Sequence, residues 1–250
     1  MKAMILAAGL GTRLRPLTDD RPKALVEVNG RTLLEVTLSR LRSVGVGEVI
    51  INVHHHAEMI LEYLQANNSF GMHIEVSREA TLLDTGGGLK KAAWFFKESH
   101  GSRETDTPFF LHNVDVLSTI DLRRMIEFHS ENKALATLAV QDRRTSRFLL
   151  FDDRLQLCGR QTGNDPPELI RKCEPLKPLA FCGIHVISPR LFAMMTEEGA
   201  FSIIASYLRL ASQEEKVQAF GADEYYWRDL GRPDDLTRAA HDLKHKVVAE

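Results

Sequence analysis

A stretch near the start of the chain gathers residue types suited to holding an anion. Leu6-Ala7-Ala8-Gly9-Leu10-Gly11-Thr12-Arg13-Leu14-Arg15-Pro16-Leu17-Thr18 continues an apolar run that begins at Met4, and Lys23 follows Pro22. Small residues at Ala7, Ala8, Gly9 and Gly11 let backbone N–H groups approach phosphate oxygens closely. Arg13 and Arg15 can add bidentate charge-assisted hydrogen bonds. Thr12 offers a hydroxyl, and Lys23 a compact positive charge for a second phosphate. The loop is not a dinucleotide fingerprint, because Leu14 stands where the third glycine belongs, and it lacks the Gly-Lys-Ser/Thr of a P-loop. Two glycines alone make a tight turn with solvated arginines. Thr12, Arg13 and Lys23 beside them favour anion binding.

Two carboxylates extend the chemistry. Asp115 follows an apolar strand ending in His112-Asn113-Val114, and Asp229 follows Tyr225-Tyr226-Trp227-Arg228 and precedes Gly231. Transfer at phosphorus needs phosphate charge neutralised, which Mg²⁺ does well. Mg²⁺ takes one or two carboxylates alongside phosphates and waters. Each aspartate alone is also explained as a turn or strand-end residue. They lie 114 residues apart, so only the fold could bring them together. Asn52 and His55 end another strand and are placed to line the same pocket. His54-His55-His56 alternate in direction at a strand end, which opposes convergence on zinc; a polar loop ahead of a helix at Ala57 accounts for them.

The elements that must position these residues follow from periodicity. Continuous apolar runs predict strands at Met4–Ala7, Val49–Val53, Phe109–Leu111 and Leu135–Val140, and alternation predicts another at Met72–Val76. Helices are expected over 32–44, with Thr32 and Glu35 as a capping box, then over 57–65, from Gly86 to Phe96, and from Asp121 to Glu131. Strands alternating with helices imply an α/β fold with a largely parallel sheet. The pattern loosens over 142–180, where short antiparallel strands are expected to cover a site. Ile184–Ile187, a helix over Ile203–Ser212, a strand at Tyr225–Trp227 and a last helix over 233–248 complete the chain, with Pro233 in the first turn. No composition break marks a linker. The expectation is one domain over 1–250, with a phosphate-binding half to about 141 and a lid half over 142–240.

Composition narrows the class. Of 250 residues, 44% are apolar and 26% charged, which excludes disorder and collagen-like structure. The net charge of -2 shows no basic excess for nucleic acid. No run approaches the roughly 18 apolar residues of a membrane span. Cys158, Cys173 and Cys182 are odd in number, widely spaced and without a CxxC, which predicts three reduced thiols and a cytoplasmic protein.

The stretch from Leu6 to Thr18, with Pro22-Lys23, resembles the signature of the sugar-1-phosphate nucleotidyltransferases. The resemblance implies a Rossmann-like three-layer α/β/α domain with a mostly parallel central sheet and a smaller antiparallel lid. It implies that Leu6, Ala7, Ala8, Gly9, Gly11, Thr12 and Arg13 hold a nucleoside triphosphate, with Asn52 and Asn113 beside them. Lys23 would meet the α-phosphate or the sugar phosphate. Leu83-Asp84-Thr85-Gly86-Gly87-Gly88 is similar to the family's second nucleotide loop, with Asp84, Gly86 and Gly87 at the base. Asn113-Val114-Asp115 and Asp229-Leu230-Gly231 match the family's Asn-Gly-Asp and Asp-x-Gly motifs, so Asp115 and Asp229 would hold Mg²⁺. Val114 departs from the motif's glycine, which allows backbone conformations that valine resists; the expectation is that the carboxylate is kept.

Arg13, Lys23 and Asp115 are the implied catalytic residues. Cys182 and Gly183 lie on a strand similar to the family's sugar-pocket strand, and Cys173-Glu174-Pro175 resembles a sugar-contacting Glu-Lys-Pro, so Glu174 is the implied hydroxyl acceptor. Compact length and these motifs are most similar to uridylyltransferases acting on N-acetylmuramate 1-phosphate in cell-wall recycling. Guanylyltransferases of mannose or heptose 1-phosphate are the alternative, and a non-catalytic nucleotide-binding homologue is the alternative of another class. The expected partners are the triphosphate and the sugar 1-phosphate, with a second copy of the chain as a further candidate and neither nucleic acid nor membrane.

Overall fold

Unbroken apolar runs near the N-terminus form strands buried on both faces, as parallel strands require. In the computed structural model, which describes residues 1–97 and 107–244, the strand Lys2–Leu6 pairs in parallel with Glu48–Val53, and that strand with His73–Arg78. Ala3, Met4, Ile5, Val49, Ile50 and Ile51 are inaccessible to solvent. The register sets Leu6 opposite Asn52, so the Gly9–Gly11 loop and Asn52 leave the sheet at the same end.

The molecule divides into two compact units, each assembled from separate stretches of chain. The first comprises Met1–Leu83, Leu111–Ile120 and Tyr225–Glu250; the second comprises Asp84–Phe110 and Asp121–Glu224.

In the first unit half of the expected capping box forms: Thr32 caps the helix, while the Glu35 carboxylate accepts from Arg31 Nε at 2.8 Å instead of reaching back to the Thr32 amide. Thr32 Oγ1 accepts the Glu35 N–H at 3.1 Å and starts the helix Leu33–Ser43, whose Leu34, Leu38 and Leu41 are fully buried. Arg40 on this helix donates to Ser118 Oγ at 2.6 Å and to the Ile120 carbonyl. It thereby ties the helix to a two-stranded antiparallel ladder, Val116–Ser118 with Trp227–Asp229. The late strand expected at Tyr225–Trp227 is therefore displaced toward Asp229, because its hydrogen-bonding partner is distant in sequence. The last helix runs Pro233–Lys244; the rest of the span expected to 248 lies outside the described residues.

The second unit is mixed. Ala136–Gln141 pairs in parallel with Val217–Gly221 and antiparallel with Lys177–Ile187. From there Arg147–Phe151, Leu157–Thr162 and Glu168–Leu169 continue as the short antiparallel strands expected over 142–180. The helix expected from Gly86 to Phe96 divides into Asp84–Lys91 and Ala93–Lys97. Asp121 caps Leu122–Asn132 through the Arg123 and Arg124 amides, both at 3.0 Å. Among the described residues no helix is long and apolar enough to cross a membrane.

The cysteine expectation is corrected. Cys158 and Cys173 form a disulfide with Cα atoms 6.4 Å apart, and Cys182 alone remains a buried thiol. The spacing of 15 residues hid the pair because the chain returns through the Glu168–Leu169 strand, where Ile170 N donates to Cys158 O at 2.9 Å. Closing a loop of this length stabilises a fold by about 3 kcal/mol. Urea unfolding in dithiothreitol is expected to lose that amount, and Cys158→Ser to be insensitive to the reductant; an unchanged unfolding midpoint in reductant contradicts the pairing.

Candidate active site

Four charged side chains from four separate segments of the first unit meet. Lys23 is buried to 8% exposure, in a short 3₁₀ turn after Pro22, and its ammonium donates to Asp115 Oδ2. Asp115 leaves the Leu111–Asn113 strand end and enters the ladder, where Val116 is paired with Asp229. Leu230 N donates to Asp115 O at 2.8 Å, and Gly231 N to Asp229 Oδ1 at 2.7 Å. The two aspartates, 114 positions apart in sequence, are thus brought together by a short antiparallel ladder. Burial raises the Asp229 carboxyl above the ordinary range, and the negative charge of Asp115 adds to the rise, while Lys23 and Arg13 oppose it.

Arg13 completes the group. A Cβ added at Gly231 would lie 2.8 Å from Arg13 Nη2 and 2.6 Å from Asp229 Oδ1, so any larger residue there would push the guanidinium and the carboxylate from their present positions. The loop preceding Arg13 is fixed at several points. Ala7 N donates to Asn52 Oδ1 at 2.8 Å, and Leu14 N and Thr18 Oγ1 both donate to Gly11 O at 2.8 Å. Gly11 has φ +66° and packs against Thr18 and Lys23, whereas a Cβ at Gly9 would meet nothing within 4 Å. Thr12 and Arg13 are exposed.

Val114 does not adopt the left-handed backbone that would demand glycine. It is buried, and its N–H donates to Leu6 O at 3.1 Å, so the Asn113–Asp115 turn is anchored to the strand that carries the glycine loop. Among the described residues no three His, Cys, Asp or Glu side chains converge on a metal position. The pair Asp115 and Asp229 remains. Two carboxylates are a donor set that suits Mg²⁺, which completes its shell with phosphates and waters.

Glu79 was not read from the sequence. It is 4% exposed, accepts from Asn52 Nδ2 at 2.7 Å and from Leu83 N at 3.0 Å, and its carbonyl lies 2.8 Å from His54 Nδ1. The available signal was its place directly after the His73–Arg78 strand, the same strand-end rule that selected Asn52 and Asp115.

The remaining predicted residues belong to the second unit. Asp84 is exposed, has φ +58° and accepts from Thr85 N at 2.6 Å. Gly86 and Gly87 are buried, and their amides donate to Phe201 O at 2.8 and 3.3 Å, so these donors are already used. A side chain at Gly86 would run into the Phe201 ring. Cys182 is solvent-inaccessible, and burial pushes its thiol up to about 12. Gly183 has φ +75° at a register shift of the Lys177–Ile187 strand, which explains the glycine there. Glu174 is exposed.

Residues 2–149, more than half of the chain, match the sequence model of the nucleotidyl transferase family. The chain belongs to that family. This nucleotidyltransferase is 32% identical over 239 residues to the N-acetylmuramate alpha-1-phosphate uridylyltransferase of Caulobacter vibrioides, with 92% of each chain covered. It is 30% identical over 245 residues to the mannose-1-phosphate guanyltransferase of Pichia angusta, covering 94% of this chain but only 62% of that longer protein. A putative glucose-1-phosphate thymidylyltransferase from Bacillus anthracis, solved with a sucrose, shares the fold with a TM-score of 0.79 at 17% identity, covering 100% of this chain and 97% of that one.

His112, three residues before Asp115, gives a pH prediction. It is fully buried with Nδ1 2.7 Å from Asn113 O and Nε2 without a partner, and burial, aided by Arg40, lowers its pKa to about 4. The unfolded chain takes up this proton near its ordinary pKa of about 6.5 and the folded chain does not. The stabilising contribution is therefore complete above pH 6.5 and is lost as pH falls to about 4, by roughly 3 kcal/mol. His112→Phe is expected to flatten urea-unfolding stability across that window; an unchanged slope contradicts the assignment.

Proposed function

We propose that this nucleotidyltransferase acts on a sugar 1-phosphate, with UTP and N-acetylmuramate 1-phosphate as substrates and Mg²⁺ as cofactor. The observation that carries the reading is the meeting of Arg13, Lys23, Asp115 and Asp229 beside a glycine loop. Two cations and two carboxylates in one place suit phosphate groups and a divalent cation together. The substrate choice is supported by the uridylyltransferase relative, which matches over 92% of both chains.

The chain's own groups account for the transfer. The loop from Leu6 to Arg13 presents backbone amides and a guanidinium to the triphosphate, and Lys23 neutralises phosphate charge where nucleophile and leaving group meet. Held by Asp115 and Asp229, Mg²⁺ would supply further charge neutralisation on the phosphates. A phosphate oxygen of the sugar 1-phosphate forms a bond to the α-phosphorus, the bond from that phosphorus to the bridging oxygen breaks, and pyrophosphate leaves with the electron pair. The nucleophile is already anionic at neutral pH, so no general base is needed. Positioning and electrostatics carry the acceleration.

A second reading, GTP with mannose or heptose 1-phosphate, is favoured by the similarity to the mannose-1-phosphate guanyltransferase. A non-catalytic homologue rested on Val114 alone, and the ordinary backbone at Val114 with Asp115 kept beside Lys23 removes that support.

The test is pyrophosphate release with UTP or GTP against N-acetylmuramate, mannose, heptose and glucose 1-phosphates in Mg²⁺. Release is expected with UTP and N-acetylmuramate 1-phosphate, and Asp115→Ala is expected to lower turnover by more than about 100-fold. Wild-type turnover in that variant contradicts the role of Asp115, and release only with GTP selects the second reading.

A further inference from the structure

Between Trp227 and Asp229 stands an arginine that the reaction itself does not use. Successive side chains of a strand point to opposite faces. Asp229 turns toward Lys23 and Arg13, and Arg228 turns the other way, onto the last helix, Pro233–Lys244. There its Nη2 donates to Asp242 Oδ2 at 2.8 Å and its Nε to Tyr226 Oη at 2.8 Å. Tyr226 Oη donates in turn to the same Asp242 Oδ2 at 2.7 Å, and Asp235 lies 3.9 Å from Arg228 Nη1. The three groups close a ring of hydrogen bonds in which Arg228 and Asp242 are only 24% and 19% exposed.

The ring grips the strand segment that carries Asp229 from its Tyr226 side, and backbone bonds hold both ends. Tyr226 is fixed to the facing strand by Thr119, through Thr119 N to Tyr226 O and Tyr226 N to Thr119 Oγ1, both at 3.0 Å. Beyond Asp229, Leu230 is tied to Asp115 O. The last helix is itself docked on the same unit, with Leu236 and Ala239 buried and Ala240 O accepting from Asn29 Nδ2 at 3.1 Å. A three-residue strand has little hydrogen bonding of its own to resist two carboxylates that repel each other across the ladder. A charge-assisted ring on its reverse face is a means of holding it.

We propose that Arg228, locked by Tyr226 and Asp242, is a positioning residue that keeps Asp229 paired with Val116 and thus beside Asp115, so that the last helix sets the geometry of the cation site. This rests on the reading of Asp115 and Asp229 as the Mg²⁺ ligands. Buried groups that orient metal ligands commonly change metal affinity by about 10- to 100-fold when removed.

The test compares wild type with Arg228→Met and with the isosteric Asp242→Asn, using amide hydrogen exchange in the metal-free protein and the Mg²⁺ dependence of pyrophosphate release. Faster exchange over 116–119 and 227–230 is expected in both variants. So is a rise of about tenfold in the Mg²⁺ concentration for half-maximal turnover, with the KM for UTP at saturating Mg²⁺ little changed. The double variant should match the worse single one, because both remove the same ring. Unchanged exchange in the ladder, or a lowered melting temperature with an unchanged Mg²⁺ dependence, overturns the proposal and leaves the enzymatic reading standing. If wild type turns over no acceptor, the enzymatic reading fails, and exchange together with direct Mn²⁺ binding to the same variants still decides the positioning role.

Discussion

Two carboxylates drawn into one partly buried place repel each other, and the first unit is arranged around holding Asp115 and Asp229 together against that repulsion. Burial and the neighbouring negative charge both push the Asp229 carboxyl toward its neutral form, while Lys23 and Arg13 pull it back. A buried lysine is costly unless it is paired, and Lys23 is paired with Asp115. Lys23 and Asp115 each make the other's burial tolerable. A site balanced in this way suits a ligand that brings both signs of charge, such as a polyphosphate with its metal ion.

The backbone that achieves this is short and distributed. Parallel strands deliver the glycine loop, Asn52 and Glu79 at the same sheet end, where ligands of open α/β sheets bind. Glu79 orients Asn52, and Asn52 takes the Ala7 amide, so the start of the glycine loop is set by a carboxylate 72 residues away. The ladder of Val116–Ser118 with Trp227–Asp229 does the same for the aspartates, braced by Arg40 on one strand and Arg228 on the other. Arginine suits both braces, because its planar fork can reach several acceptors at fixed angles.

Much of this was legible in sequence where the signal is local. The Thr32 cap, the buried stripe of Leu34, Leu38 and Leu41, the Asp121 cap and the apolar strands are each set by neighbours within a few residues. The glycine loop with Arg13 and Lys23 stood out because its residue types and spacing suit an anion, and the structure places Lys23 against both Gly11 and Asp115. What depended on distant pairing was not legible. The Val217–Gly221 strand takes its place from Ala136–Gln141, the Cys158–Cys173 bond from a returning strand, and the roles of Glu79 and Arg228 from partners 27 and 14 residues away. The packing of the Gly86-Gly87 pair was likewise beyond local reading. Both glycines lie within the Asp84–Lys91 helix, give their amides to Phe201 O, and leave the space that the Phe201 ring fills at Gly86.

The central claim, that Asp115 and Asp229 serve one divalent cation, is tested most directly by titrating Mn²⁺ into the protein with a non-hydrolysable nucleoside triphosphate and following free Mn²⁺ by electron paramagnetic resonance. The account predicts a single protein-dependent site in wild type, weakened by about tenfold or more in Asp115→Asn and likewise in Asp229→Asn. Wild-type affinity in either variant, or two separate sites of which each variant loses one, would contradict it.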